Sequence, residues 1–364
     1  MREKIKILQV VTRMGRGGAE TMIMNYYRCL DRSKYQFDFL VHRFEKADYD
    51  EEIKQLGGHI FHMIPIRPYS YFKYFRMLDE FFKNHASEYV AVHCHIQENS
   101  GFVCKYAAKY GIKNRVCTSH IADLGIDYKY PFRQLGKIFT HKYVNIRLSC
   151  GIEAGRFLYG NKSFMVFPNA INALKYRYNE TDYNEFRANK GWGNRVVIGH
   201  IGRFEKQKNH TFLLEIFSEF LKQNPQALLV LLGNGGDFDK IRQKAKKLGV
   251  SDSVIFEGIQ TSVCNYLKAF DVFLFPSLFE GLPVSVIEAQ AAGLKCFLSD
   301  TIDKGVDISG DIEFISLHKD PAYWAERIYR SIPYNRLDNY EKVIKAKYDV
   351  LNNIDTLLDI YTKG

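Results

Sequence analysis

DVFLFPSLFEGLPVSVIEAQAAGLKCFLSD, residues Asp271 to Asp300, decides how this 364-residue chain is read. Val272 to Phe275 form the short apolar run expected of a strand buried on both faces of a parallel sheet. Pro276 ends that run, and Pro283 is expected at the first helical position, where its missing N–H costs nothing. The helix runs through Ile287, Glu288 and Ala291 until Gly293, which is free to take the left-handed closing conformation. Lys295 to Ser299 then reads as a second strand. Strand, loop, helix and strand in this order make one unit of a doubly wound parallel sheet.

The same unit suggests chemistry. Amides around Gly281 and Leu282, at the start of the helix, face the crevice above the strand end, and the helix dipole there favours an anion such as a diphosphate. Glu280 lies in the loop and Glu288 about one and a half turns into the helix, so both carboxylates can edge that crevice and accept from sugar hydroxyls. Spacing alone fits a solvated loop glutamate and a surface helix glutamate as well.

The wider text is more specific. FPSLFEGLPVSVIEAQAAG, with Pro276, Ser277, Gly281, Pro283, Ala289 and Gly293 around two glutamates eight apart, resembles the signature of the retaining family-four glycosyltransferases of the GT-B fold. The resemblance implies that Glu280 contacts the donor sugar and Glu288 holds the ribose of the nucleotide. It covers essentially the whole chain and is most specific over residues 195–300, with the text of bacterial exopolysaccharide, capsule and surface-glycan enzymes the most similar.

Composition bounds the alternatives. Seven scattered cysteines without a C-x-x-C argue against a disulfide framework and lead us to expect a cytoplasmic protein. MREKIKILQVV reads as a first strand rather than a signal peptide, and no apolar run approaches the ~20 residues of a membrane span. The net charge of +10 is uneven: residues 1–170 hold 26 lysines and arginines against 16 acidic residues, and the remainder holds 25 against 25. Such asymmetry suits an anionic membrane leaflet, a polyanionic acceptor or nucleic acid, and equally a merely basic surface. We expect a peripheral contact with the inner face of the plasma membrane and no nucleic-acid partner.

Residues 4–150 alternate strand-like runs with helical spacing, which implies a first parallel doubly wound domain over 1–170. Its first loop, TRMGRGGAE, has Glu20 where a dinucleotide fingerprint needs a third glycine, so a Rossmann dehydrogenase is disfavoured. In the resembled family this GGAE text lies beside the donor diphosphate and the acceptor, which implies donor contacts at Gly17 and Gly18. Tyr71, Phe75, Leu78 and Phe82 form one helical stripe, widened by Tyr74 and Phe81; it suits a core-facing helix, or an interfacial helix on anionic lipid. His93 and His95 share a strand face without a third ligand of metal-binding spacing. His120 ends the RVCTSH strand at its carboxyl edge, and the resemblance implies that it reaches the donor sugar.

Residues 171–194 are polar and weakly patterned and are expected as a linker. A second domain over 195–340 opens with RVVIGHIGRFEKQKNH, which puts Arg203 and Lys208 at another strand-end crevice and Asn209 at a helix cap. By resemblance Arg203 and Lys208 clamp the donor diphosphate, and the backbone at Ile259, in Glu257-Gly258-Ile259, reads the base. Asp48-x-Asp50 and Asp237-x-Asp239 precede helices and are read as caps, not metal ligands. Residues 341–364 are expected to pack back on the first domain. The implied activity is retaining, metal-independent transfer from a nucleoside-diphosphate sugar, expected to be UDP-linked, to a hydroxyl of a glycan or lipid-linked saccharide, with no other cofactor. The alternatives are a UDP-sugar epimerase of the same fold and a non-catalytic sugar-nucleotide or polyanion binder.

Overall fold

Short β-branched and aromatic runs alternate with amphipathic helices along the chain, and this pattern folds as two parallel sheets covered by helices, an α/β architecture. The computed structural model describes residues 4–121 and 129–363. It divides into two units, Met1–Ala170 with Asp349–Gly364, and Ile171–Tyr348. The first unit's strands are β1 (Ile5–Val11), β2 (Tyr35–Val41), β3 (Ile60–His62), β4 (Tyr89–Cys94), β5 (Asn114–Ser119), β6 (Ile146–Ser149) and β7 (Met165–Val166), in the order β3-β2-β1-β4-β5-β6-β7. The second unit has β8 (Val197–Ile201), β9 (Leu228–Leu232), β10 (Val254–Gly258), β11 (Val272–Phe275), β12 (Lys295–Ser299) and β13 (Ile312–Ile315), in the order β10-β9-β8-β11-β12-β13.

Each sheet starts in its middle and winds outward both ways, so neighbouring crossovers leave on opposite faces between β1 and β4, and again between β8 and β11. In sheets of this architecture ligands bind at such a reversal, outside the carboxyl ends of the strands, so each unit has its own candidate position. The helix Tyr71–His85 buries Tyr74, Leu78, Phe81 and Phe82 against Leu8, Leu40 and Val92, so its aromatic stripe belongs to the core. The final helix, Val350–Thr362, joins the first unit's core through Val350, Leu357 and Tyr361.

Two local expectations change. Residues 171–194 are not a bare linker: they fold into the second unit as helices Ala173–Tyr176 and Glu180–Asn189, because Phe186 and Trp192 pack on Tyr266 and Phe270. Pro283 stands one place before its helix, which runs Val284–Ala291; its ψ of 105° is extended rather than helical. Gly293 closes that helix at φ +70° as expected.

In the first unit, helix Ser100–Lys109 crosses Tyr130–Tyr143 at Gly101, where an added Cβ would collide with the backbone of Phe139 and Thr140. Gly101→Ala is expected to lower the stability of that unit by roughly 1–3 kcal/mol. Thermal unfolding by circular dichroism measures the loss. Fluorescence of Trp192 and Trp324, both in the second unit, should keep its own midpoint.

Candidate functional site

In the second unit, β8 and β11 are registered at Val272 with Ile198 and Phe273 with Gly199. Just beyond, the carbonyl of Leu274 accepts from His200 Nδ1 at 2.8 Å, so an imidazole takes up the backbone group as the strands part. Burial, with His210 and Lys208 beside it, pushes the His200 pKa well below the ordinary histidine value and keeps the ring neutral. The loops leaving the two strands are laced together. Leu278 N donates to Gln207 O at 2.8 Å, and Gln207 Nε2 to Phe279 O at 2.9 Å. Asn209, expected as a helix cap, holds the N-cap position of His210–Gln223 at φ +55°, but its amide donates to Pro276 O at 3.1 Å instead of capping.

This lacing brings Lys208 and Glu280 together across 72 residues of sequence. Lys208 Nζ donates to Glu280 Oε1 at 2.6 Å, with 17% and 9% of the two side chains exposed. The ammonium also lies 4.7 Å from the centre of the Phe275 ring. Arg203 follows β8 but points outward, 71% exposed, with Glu205 at 3.2 Å. Gly281 is exposed and Leu282 half-buried, just before the helix whose first amides lack intrahelical acceptors.

Glu288 lies on that helix but is not a surface residue. It is 8% exposed, and Tyr176 Oη donates to its Oε1 at 2.7 Å. Burial raises its pKa from 4.5 to about 7, against the opposing pull of the Tyr176 hydroxyl. Ile259 stands exposed after Gly258, whose φ is +66°; the preceding Glu257 is held by Lys190 at 2.9 Å and by Tyr266 at 2.7 Å. Of the Asp-x-Asp pairs, Asp50 accepts from the Ala47 amide at 2.8 Å. Asp237 holds an N-cap position without a side-chain capping bond, so proximity to a helix start did not secure that bond.

The first unit has its own reversal between β1 and β4. Gly17 is the N-cap of helix Gly18–Cys29, and the Glu20 carboxylate folds back so closely over it that a Cβ on Gly17 would collide. His120, at the end of β5, has its Nε2 2.9 Å from His95 Nδ1, and burial lowers its pKa to about 4. Sequence reasoning placed Glu280 and Glu288 at one strand-end crevice and Lys208 at another, and missed the direct Lys208–Glu280 pair and the Tyr176 partner of Glu288. Tyr176 lies 112 residues from Glu288, and no spacing rule connects them. His95 was visible as a neighbour of His93 on one strand face; its partner His120 was not.

The raised Glu288 pKa has a sign. Between pH 4.5 and 7 the folded carboxyl holds a proton that the unfolded chain has lost, so its contribution to stability falls as pH rises and is gone above 7. Glu288→Gln should therefore match the parent near pH 4.5 and exceed it by up to about 3 kcal/mol at pH 8, in the tryptophan-monitored transition of the second unit.

Known proteins share this layout. The Glycosyltransferase Family 4 signature matches residues 16–149, and that of Glycosyl transferases group 1 matches residues 182–345. Over 369 residues the chain is 34% identical to the glycosyltransferase EpsF of Bacillus subtilis, covering 98% of this chain and 96% of EpsF. Over 367 residues it is 26% identical to the capsular polysaccharide biosynthesis glycosyltransferase CapH of Staphylococcus aureus, covering 98% and 95%. The structure of Anabaena HepE in complex with UDP and glucose superposes with a TM-score of 0.73 at 16% identity, over 98% of both chains. With this match across both units, the chain belongs to the family-four glycosyltransferases and has the GT-B fold.

Proposed function

We propose that this glycosyltransferase moves a sugar, with retention, from a UDP-sugar to a hydroxyl of a glycan or lipid-linked saccharide during surface polysaccharide assembly. The observation that carries the reading is the convergence of Lys208, Glu280 and the start of the Val284–Ala291 helix at the β8/β11 reversal. The names of EpsF, CapH and the UDP complex of HepE point the same way. In this reading the diphosphate replaces Glu280 as the partner of Lys208, and Glu280 turns to the hydroxyls of the donor sugar. Arg203, exposed before the donor arrives, closes on the diphosphate, and amides from Gly281 and Leu282 onward complete its shell.

Glu288 takes the ribose hydroxyls, which favour its charged form and release its proton. The backbone at Ile259 takes the base, Gly17 and Gly18 border the diphosphate, and His120 orients the sugar. As the glycosidic bond breaks, negative charge grows on the leaving diphosphate, where the two cations and the helix amides stabilise it without a metal. The incoming hydroxyl delivers its proton to a diphosphate oxygen, so no side-chain base is assigned. Incubation with UDP- and GDP-sugars, with and without a lipid-linked saccharide acceptor, tests this: nucleotide release should depend on the acceptor and favour UDP. Arg203→Ala and Glu280→Gln should each lower transfer by about a hundredfold; unchanged rates would remove both residues from the site. Donor turnover without an acceptor would favour the epimerase.

We place the contact with anionic lipid on one face of the first unit. Phe132, Leu135 and Ile138 are exposed on one stripe of helix Tyr130–Tyr143, followed one turn on by exposed Lys142. Residues 129–143 contain no acidic side chain. Tyr71 touches Phe132 at 6.3 Å between ring centres, which links this stripe to exposed Phe72, Lys73 and Arg76. Apolar side chains ringed by cations suit the interface of an anionic bilayer, and no helix among the described residues is long and apolar enough to cross one. Sedimentation with phosphatidylglycerol vesicles should exceed that with phosphatidylcholine, weaken with salt, and be lost in Phe132→Glu/Ile138→Glu. Equal binding to both vesicle types would overturn the assignment.

A further inference from the structure

Behind His120 the first unit buries a continuous chain of polar side chains that the proposed reaction does not use. Gln9 is its centre. Gln9 Nε2 donates to Tyr361 Oη at 3.2 Å, and Gln9 Oε1 lies 3.1 Å from His95 Nε2. Tyr361 Oη lies 2.7 Å from His93 Nδ1, and His93 Nε2 lies 2.7 Å from Thr118 Oγ1. His95 Nδ1 meets His120 Nε2 at 2.9 Å. Gln9, His93, Thr118 and Tyr361 are buried, and they come from β1, β4, β5 and the final helix.

With the Gln9 carbonyl turned toward His95, each proton of this chain has one place. The Gln9 carbonyl can only accept, so His95 carries its proton on Nε2. His95 Nδ1 is then a bare acceptor, and His120 donates to it from Nε2, while a hydrogen bond with the Asn169 side chain raises the His120 pKa against the effect of burial. On the other arm the Gln9 amide occupies the Tyr361 oxygen. The phenol proton therefore goes to His93 Nδ1, and His93 donates from Nε2 to Thr118. Burial keeps the three rings neutral, with His93 lowered to about 3, His120 to about 4 and His95 well below the usual range. Turning the Gln9 amide over would reverse the whole His95–His120 arm.

We propose that His95, Gln9 and Tyr361 are positioning residues that set the ring orientation and tautomer of His120, so that the carboxy-terminal helix takes part in the active site without touching substrate. The proposal rests on the reading that His120 contacts the donor sugar. Tyr361 is the informative position, because Tyr361→Phe removes one oxygen from a buried ring and frees the Gln9 amide to turn.

Long-range proton–nitrogen NMR of histidine-labelled protein at pH 7 should show His93, His95 and His120 neutral and protonated on Nε2. In Tyr361→Phe the His120 signals should move toward the Nδ1–H form. Its kcat should fall by about tenfold with the donor KM unchanged, and His95→Gln should behave alike. If His120→Ala transfers sugar at the parent rate, the role given to His120 fails. If His120→Ala is inactive while Tyr361→Phe loses only thermal stability and keeps the parental kcat and tautomer, the positioning proposal is overturned.

Discussion

The ion pair between Lys208 and Glu280 sets the state of the second unit's crevice. Removing two charges from water costs several kcal/mol per ion, and the cost is offset only while each has a partner at close range. The pair is 2.6 Å long and mostly buried, so neither group stands as an uncompensated charge before a ligand arrives. A dianionic ligand that displaces the carboxylate from Lys208 replaces one short contact by another, while the freed carboxylate needs hydrogen-bond donors. A sugar diphosphate brings an anion and hydroxyl donors in one molecule, which matches what the pair requires when it separates.

That pair exists because two loops are held at fixed separation. The β8 and β11 ladder ends early, His200 takes the Leu274 carbonyl, and three hydrogen bonds lace residues 207–209 to residues 276–279. Gly199 contributes by having no Cβ, because the Phe270 ring lies directly against it. The first unit repeats the strand reversal but fills the space behind it with histidines, Gln9 and Tyr361. Buried polar groups of this kind are costly when half-paired and rigid when fully paired. The contrast gives one unit a buried ion pair and the other a set of neutral, hydrogen-bonded rings.

Much of the fold was legible. The run Val272 to Phe275, the glycine at 293 and the strand Lys295 to Ser299 fall where the text placed them, because burial on both faces and a left-handed helix end each leave a local mark. Pro283 misled by one residue, since proline is compatible with both the cap and the first helical position. Asn209 takes the N-cap position where the text placed it, but without a capping bond from its side chain, whose amide donates across the loop to Pro276 O. Residues 171–194 looked like a linker because their few anchors, Phe186 and Trp192, are spaced for packing on distant partners rather than for a periodic face.

The sequence by itself determined the class of fold and the family, and by resemblance named two glutamates and two cations as site candidates, because strand runs and motif spacing are encoded within a few residues of each other. Only the tertiary structure decided that Glu280 is paired with Lys208, that Glu288 is buried under Tyr176 with its proton held to about pH 7, and that His120 hangs from Gln9 and the final helix. Those properties depend on desolvation and on partners 72, 112 and hundreds of residues away, and neither is written in local spacing.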